Sequence, residues 1–341
     1  MPDFSYEETK LTTSRNYPIH LLLFVATLFT TTWAGAIWTG ISPFTANKAG
    51  FIEALKTGVP FSLALLAFLT VHEFGHFFAT VKHRIRATLP YYIPLPPLPF
   101  LMSIGTLGAI IRIKEPIRSR RALFDIGAAG PLAGFTVALG LLIYGFLHLP
   151  PAEYIYSIHP DYRAMGGIPP APADTLYLGK NLLFILLEAL IKPKGLPPMY
   201  ELYHYPFLFA GWLACFVTAL NLLPVGQLDG GHVIYAMFGS EGHRKISKFF
   251  LAFITVIGAP SFILGVLELI NPALVFPVPE LLLRWSWPGW IIWAIILRRF
   301  LGTKHPQAGS DRPLSKRRIM TGWLCIAVFI LTFTPVPFAI S

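Results

Sequence analysis

Charge is what this sequence has least of. Only 13% of its 341 residues are Asp, Glu, Lys or Arg, about half of the roughly 25% typical of soluble domains. That scarcity excludes an ordinary soluble enzyme of this length, and a hydrophobic share of 54% excludes a disordered chain. Its two cysteines, Cys215 and Cys325, both lie in apolar stretches, so neither a disulfide framework nor a Cys metal cluster is implied. Fixed-period repeats are absent, and nothing reads as a separate soluble domain. What the chain does have is long apolar runs, with a mean hydropathy of +0.60. Several runs approach the roughly 20 residues a helix needs to cross a bilayer. The expectation is an all-α polytopic membrane protein of about six to seven transmembrane helices.

Hydropathy places spans near 18–41, 59–81, 122–148, 206–238, 249–271, 284–302 and 319–340. The fourth is too long for one straight crossing and contains Pro224, Gly226, Gly230 and Gly231, so a broken helix is expected there. The net charge of +10 reads as basic loops rather than a nucleic-acid surface. With the N-terminus cytoplasmic, the inside segments 1–17, 82–121, 239–248 and 298–318 hold 2, 8, 3 and 7 Lys or Arg, which is 20 of the 27. The Pro- and Tyr-rich stretch 149–205 then lies outside, and its apolar run Asn181 to Ile191 is expected at the interface. Pro90 to Pro99 cannot be a helix interior. The Gly-punctuated, β-branched residues 104–113 that follow read as extended structure, a small membrane-associated β-hairpin. By segment, 1–17 is a cytoplasmic lead, 18–58 the first span and an external loop, 59–240 the core, and 241–341 the C-terminal spans. The apolar run after residue 17 is too long for a signal peptide, and the absence of a transit peptide points to a prokaryotic inner membrane.

The second span carries His72, Glu73 and His76. Each ionisable group in mid-span costs about 2.5–3.5 kcal/mol on insertion scales, so three within five positions imply function. His72 and His76 are four apart and project from one helix face, where both can bind one metal. Glu73 is offset beside them, within reach of water at that metal; this is the HExxH pattern of zinc hydrolases. Pattern alone also allows a pair of hydrogen-bonded core histidines. A third ligand must come from elsewhere, and Asp125, Glu188, His232, Glu268 and Asp229 are the candidates. Glu188 and Glu268 fit interfacial exposure better, and Asp125 fits an ion pair or cap at the start of the third span. Asp229, beside the Pro/Gly break, is the best third ligand. Asn221 stands one broken turn away, able to donate to a carbonyl oxygen, hold a substrate strand or simply bond between helices. His232 reads as support behind the ligands or as a polar neighbour. Gly127, Ala128, Gly130, Ala133 and Gly134 form a small-residue face suited to close helix packing.

His72-Glu73-Phe74-Gly75-His76 with Asn221-Leu222-Leu223-Pro224 and Leu228-Asp229-Gly230 resembles the paired signature of site-2 proteases, the intramembrane zinc metalloproteases. Gly130-Pro131-Leu132-Ala133-Gly134 is similar to a further recurrent stretch of that family. Gly105-Thr106-Leu107-Gly108-Ala109 is similar to its membrane-associated β-structure. The resemblance covers about residues 60–240. It implies one Zn2+ per chain held by His72, His76 and Asp229, Glu73 as catalytic glutamate, and Asn221 assisting substrate binding. Many bacterial members carry a second Pro where Gly226 stands, so a looser local backbone is expected. No stretch is long enough for an inserted PDZ domain, which marks a PDZ-less type.

The implied activity is hydrolysis of a peptide bond within or near the transmembrane segment of a membrane protein, in the cytoplasmic half of the bilayer. An amide inside an intact helix is shielded, so the substrate must be locally extended. Residues 104–113, including Gly105, Thr106, Leu107 and Gly108, offer an edge for it to pair with. The expected partners are the lipid bilayer and a single-pass protein or membrane-embedded peptide, with no nucleic acid. A membrane metal transporter would need such groups strung along a path, and a catalytically silent scaffold would typically have lost Glu73 or Asp229.

Overall fold

The computed structural model describes residues 17–41, 43, 48–98, 103–173, 175–271, 277–302 and 313–340. Residues 1–16 of the expected cytoplasmic lead, and Pro99 of the proline run, lie outside this set. The fold is mostly helical. Among the described residues, four helices are long and apolar enough to cross a membrane by length and composition: α1 (Tyr17–Trp38), α2 (Lys48–Lys82), α3 (Arg120–Leu147) and α8 (Asp229–Ile270). Between them lie β1 (Tyr91–Pro94), β2 (Thr106–Ile110), α4 (Glu153–Ile158), α5 (Asp161–Ala164), β3 (Leu176–Leu178), α6 (Leu182–Ile191) and α7 (Pro206–Asn221). After α8 come α9 (Glu280–Arg284), α10 (Gly289–Ile296), α11 (Lys316–Thr332) and β4 (Phe338–Ile340).

The main core sits among α2, α3 and α7. Phe61 stacks on Phe209 with ring centroids 5.4 Å apart, and Phe68, Leu142 and Trp212 are fully enclosed around them. Glycines set how closely these helices approach. A Cβ on Gly58 would stand 1.9 Å from Thr32 O of α1, and one on Gly75 would stand 2.7 Å from Ala129 O of α3. Conversely, Leu21, Leu22, Phe249, Val256 and Leu269 are well exposed, which an apolar solvent explains and water does not.

Several sequence expectations need correction. The second span begins at Lys48 rather than 59 and passes through Pro60, which removes a single ladder bond without ending the helix. The span placed at 206–238 is broken, as expected: α7 stops at Asn221 and a new helix starts at Asp229. α8 is itself two helical stretches that meet at Gly239, whose φ of 74° few other residues accept, so the boundary expected after residue 238 is present, but the second stretch starts directly after Gly239 rather than at 249. Residues 240–248, read as part of a connection, are helical and carry the Glu241–Lys245 pair at 3.0 Å. The span placed at 284–302 breaks before Pro288, leaving α10 and a single π turn, Leu297–Leu301. The last helix ends at Thr332, ahead of Pro335 and Pro337, rather than at 340.

The extended segment forms as expected. β1 and β2 pair antiparallel, with Tyr91 opposite Ile110 and Tyr92 opposite Ala109. The apolar run expected at the interface is helix α6, capped by Asn181 Oδ1, which accepts the Phe184 amide at 2.9 Å. A second ribbon was not foreseen: β3 pairs antiparallel with β4, joining residues 176–178 to 338–340.

Candidate metal centre and catalytic site

His72 and His76 lie on one face of α2 and are 3% and 6% exposed. Their Nε2 atoms are 3.1 Å apart. α3 packs directly on that face because it carries glycine there. A Cβ on Gly130 would fall 2.0 Å from His76 Nε2, and one on Gly134 would fall 3.0 Å from His72 Nδ1. The small residues that read as ordinary packing therefore make the room in which both imidazoles stand. α3 also orients one of them: the Ile126 carbonyl accepts from His76 Nδ1 at 2.8 Å, leaving a lone pair on Nε2.

The broken helix supplies the third group. After α7 ends, residues 222–228 turn back, and α8 starts at Asp229 with its carboxylate over the two histidines. Asp229 Oδ2 is 3.2 Å from His76 Nε2 and 3.6 Å from His72 Nε2. Gly230 and Gly231 permit the turn, since a Cβ on either would stand within 2.0 and 2.4 Å of the carbonyl oxygens of Leu222 and Gly226. Gly226 has φ +58°, a conformation closed to proline, so the departure from the second Pro is a different turn. Two side chains from the helical stretch beyond Gly239 fasten this turn. Ser247 Oγ donates to Pro224 O at 2.8 Å, and His243 Nε2 donates to Gly226 O at 3.2 Å. Both were missed in the sequence because their stretch read as a loop.

Glu73 faces the same space and is 7% exposed. Its Oε2 accepts the Ile111 amide at 2.8 Å, immediately past the end of β2. Asn221, the last residue of α7, brings Nδ2 to 3.2 Å from His72 Nε2. The remaining sequence candidates fall elsewhere. His232 packs its Cβ against Gly127 of α3. Gly105 has φ +88° and lies against Thr31, with its carbonyl accepting from Thr30 Oγ1 at 2.6 Å and from the Leu95 amide. Thr106 Oγ1 bonds Ile93 O and Gly108 O within the ribbon, whereas Leu107 is 69% exposed and Gly108 faces open space. Asp125 is an ion pair, as expected: Arg318 Nε and Nη2 both reach it at 2.8 Å, as does His83 Nε2. The cap of α3 is Ser119 instead. Glu188 pairs with Lys180, and Glu268 is exposed.

Does the arrangement fit a metal? Tetrahedral coordination at 2.0–2.1 Å places neighbouring donor atoms about 3.3 Å apart. The three edges here are 3.1, 3.2 and 3.6 Å. His76 Nδ1 donates to Ile126 O, so its Nε2 faces His72 Nε2 and Asp229 Oδ2, and two imidazole nitrogens and a carboxylate oxygen converge on one point. His72 Nδ1 is buried and finds no acceptor among the described residues. The spacing and the chemistry of the donor set fit a divalent metal.

Comparisons with known proteins agree. Residues 60–265 match peptidase family M50. The chain is 32% identical over 197 residues to "Probable zinc metalloprotease EGY2, chloroplastic" of Oryza sativa subsp. indica, covering 58% of this chain and 32% of that protein. It is 30% identical over 246 residues to "Probable zinc metalloprotease EGY1, chloroplastic" of Oryza sativa subsp. japonica, covering 67% and 39%. The Arabidopsis thaliana protein named EGY1 is 30% identical over 212 residues. The chain thus spans about a third of the length of the curated relatives it matches. No solved structure matches. With more than half of its length matched, and with the histidine pair and distant aspartate assembled as the signature requires, the chain belongs to peptidase family M50, the site-2 protease family.

Proposed function

We propose that this chain is a zinc endopeptidase that cleaves membrane-embedded substrates. The observation that carries the reading is the triangle of His72, His76 and Asp229 with Glu73 and Asn221 on its rim. Zinc, when bound by those three residues, acidifies water and polarises a carbonyl. Glu73 holds one carboxylate oxygen on the Ile111 amide and keeps the other for the water's proton, which it passes to the leaving amide nitrogen. Asn221 Nδ2 donates to the carbonyl oxygen as charge builds there. The substrate is a single-pass protein or membrane-embedded peptide, opened locally into an extended strand. Beside Glu73, the exposed Leu107 and open Gly108 of β2 support pairing of that strand along the ribbon.

The proposed topology has about six to seven crossings with the N-terminus inside. Segments counted as cytoplasmic meet at one end, where Asp125 joins Lys82, His83 and Arg318, and Arg120 donates to the carbonyls of Ala236 and Met237. Segments counted as external meet in the β3–β4 ribbon. Counting along the helices, His76 and Asp229 stand about 10–15 Å from the basic end, in the inner half of a roughly 30 Å apolar layer. The relatives are plant proteins with "chloroplastic" in their names, and they lend no support to a prokaryotic inner membrane.

The test is purified wild type beside Glu73→Gln on a panel of transmembrane substrates, with bound zinc measured in both. Loss of cleavage with zinc retained is expected. Equal cleavage by the two would end the protease reading.

A further inference from the structure

A second triangle of two imidazoles and a carboxylate lies at the far end of α7. His204 comes just before that helix and Asn221 closes it, so 16 residues separate the two places, about 24 Å at helical rise. His159 Nε2 and His204 Nε2 are 3.1 Å apart, and Glu201 Oε2 is 3.6 Å from the first and 3.4 Å from the second. The edges nearly repeat those of the catalytic triangle. We propose that His159, Glu201 and His204 form a second metal site, for one zinc-class divalent cation, which pins the external segment to the ends of α1 and α7.

Hydrogen bonding prepares two of the three donors. His204 Nδ1 donates to Trp38 O at 2.6 Å, so its Nε2 carries the lone pair. Tyr162 donates to Glu201 Oε1 at 2.6 Å and holds that carboxylate with its other oxygen toward the histidines. That second oxygen is buried, on a residue 2% exposed, and accepts no hydrogen bond. An orphaned buried carboxylate oxygen aimed between two imidazole nitrogens calls for a cation. The His159 side chain is 33% exposed, so the triangle is open on that side and leaves a coordination position for water. Two nitrogens and one oxygen with a fourth position free suit zinc better than the oxygen-seeking calcium or magnesium.

The site is not a step on a transport path. The intervening helix, Pro206 to Asn221, has Thr218 and Cys215 as its polarisable side chains and no ionisable His, Asp or Glu. A structural role follows: the ion would join the turn after α4, the turn before α7 and the end of α1. The sequence did contain one signal, the Glu201-x-x-His204 spacing, but the third ligand lies more than forty positions upstream.

The test is zinc per chain in the detergent-purified full-length protein after loading and desalting. Two equivalents are expected for wild type, one for His76→Ala, one for Glu201→Gln and none for the double variant. The His76→Ala arm reads the catalytic triangle alone, so failure there is distinguishable from failure here. One equivalent in wild type, lost in His76→Ala and kept in Glu201→Gln, would show a proton-linked triad without metal and overturn the proposal. Should Glu201→Gln fold poorly, the zinc-induced rise in Tm of His76→Ala serves instead. It should vanish on adding His159→Ala, a change at a partly exposed ring; a rise that persists, or none to begin with, counts against the site.

Discussion

The carboxylate of Glu73 hangs from the backbone amide of Ile111, 2.8 Å away, so the proposed proton carrier and the end of strand β2 form one rigid unit. This bond crosses from a helix to a ribbon and fixes which oxygen remains for chemistry. Glu73→Gln should keep it, because the amide oxygen can still accept from Ile111. Cleavage should fall by about 10²–10⁴-fold with zinc content unchanged. Glu73→Asp withdraws the carboxylate by one methylene and should lose most activity too. Steady-state cleavage beside metal analysis checks both.

Gly130→Ala and Gly140→Ala make a matched pair on α3. The first would set a methyl 2.0 Å from His76 Nε2, whereas the second meets nothing within 4 Å. Gly130→Ala should weaken zinc binding by well over 10-fold and lower Tm. Gly140→Ala should be silent or add up to about 1 kcal/mol through helix propensity. Zinc titration and thermal melts in detergent separate the two.

Asn221→Ala removes a donor 3.2 Å from His72 Nε2 while leaving all three proposed ligands in the chain. The expected result is a 10- to 10³-fold loss in kcat with little change in bound zinc, the range seen when one carbonyl-directed donor is deleted. An unchanged kcat with altered zinc affinity would make Asn221 a support for His72 instead.

Arg318 grips Asp125 with two nitrogens at 2.8 Å, tying the start of α11 to α3 where the carboxylate is only 14% exposed. Arg318→Ala should cost about 2 kcal/mol and leave the proposed catalytic residues in place. Arg318→Lys should recover part of that, since a lysine offers charge without the fork. Denaturation in mild detergent, monitored by near-UV signal, measures the difference.

Much of this was legible because the chemistry is carried by residues out of place in an apolar chain. His72, Glu73, His76 and Asp229 stand out by cost alone, and helix periodicity puts the first three together. The break around Pro224 and Gly226 was equally visible, as was the ribbon. The helical start of the stretch after Gly239 and the boundaries at 284–302 were not, because hydropathy sees polarity rather than helicity. The charged stretch 240–248 is helical, and its His243 and Ser247 fold back on the loop that presents Asp229. Gly130 and Gly134 showed as small residues, but which imidazole each admits depends on how α2 and α3 are rotated. The His159, Glu201 and His204 triangle stayed hidden because two turns more than forty positions apart bring His159 to the Glu201–His204 pair.

The β3–β4 ribbon bears on how the chain assembles. Leu178 faces Phe338, so the earlier strand has no partner until the later one has been made and brought to the same side. Every helix from α6 to α11 must be threaded before that closure, and loop-closure entropy makes it a late event. Cutting the chain just after Thr332 would therefore leave α1–α3 and the metal ligands able to form, while residues 176–178 lose their strand partner.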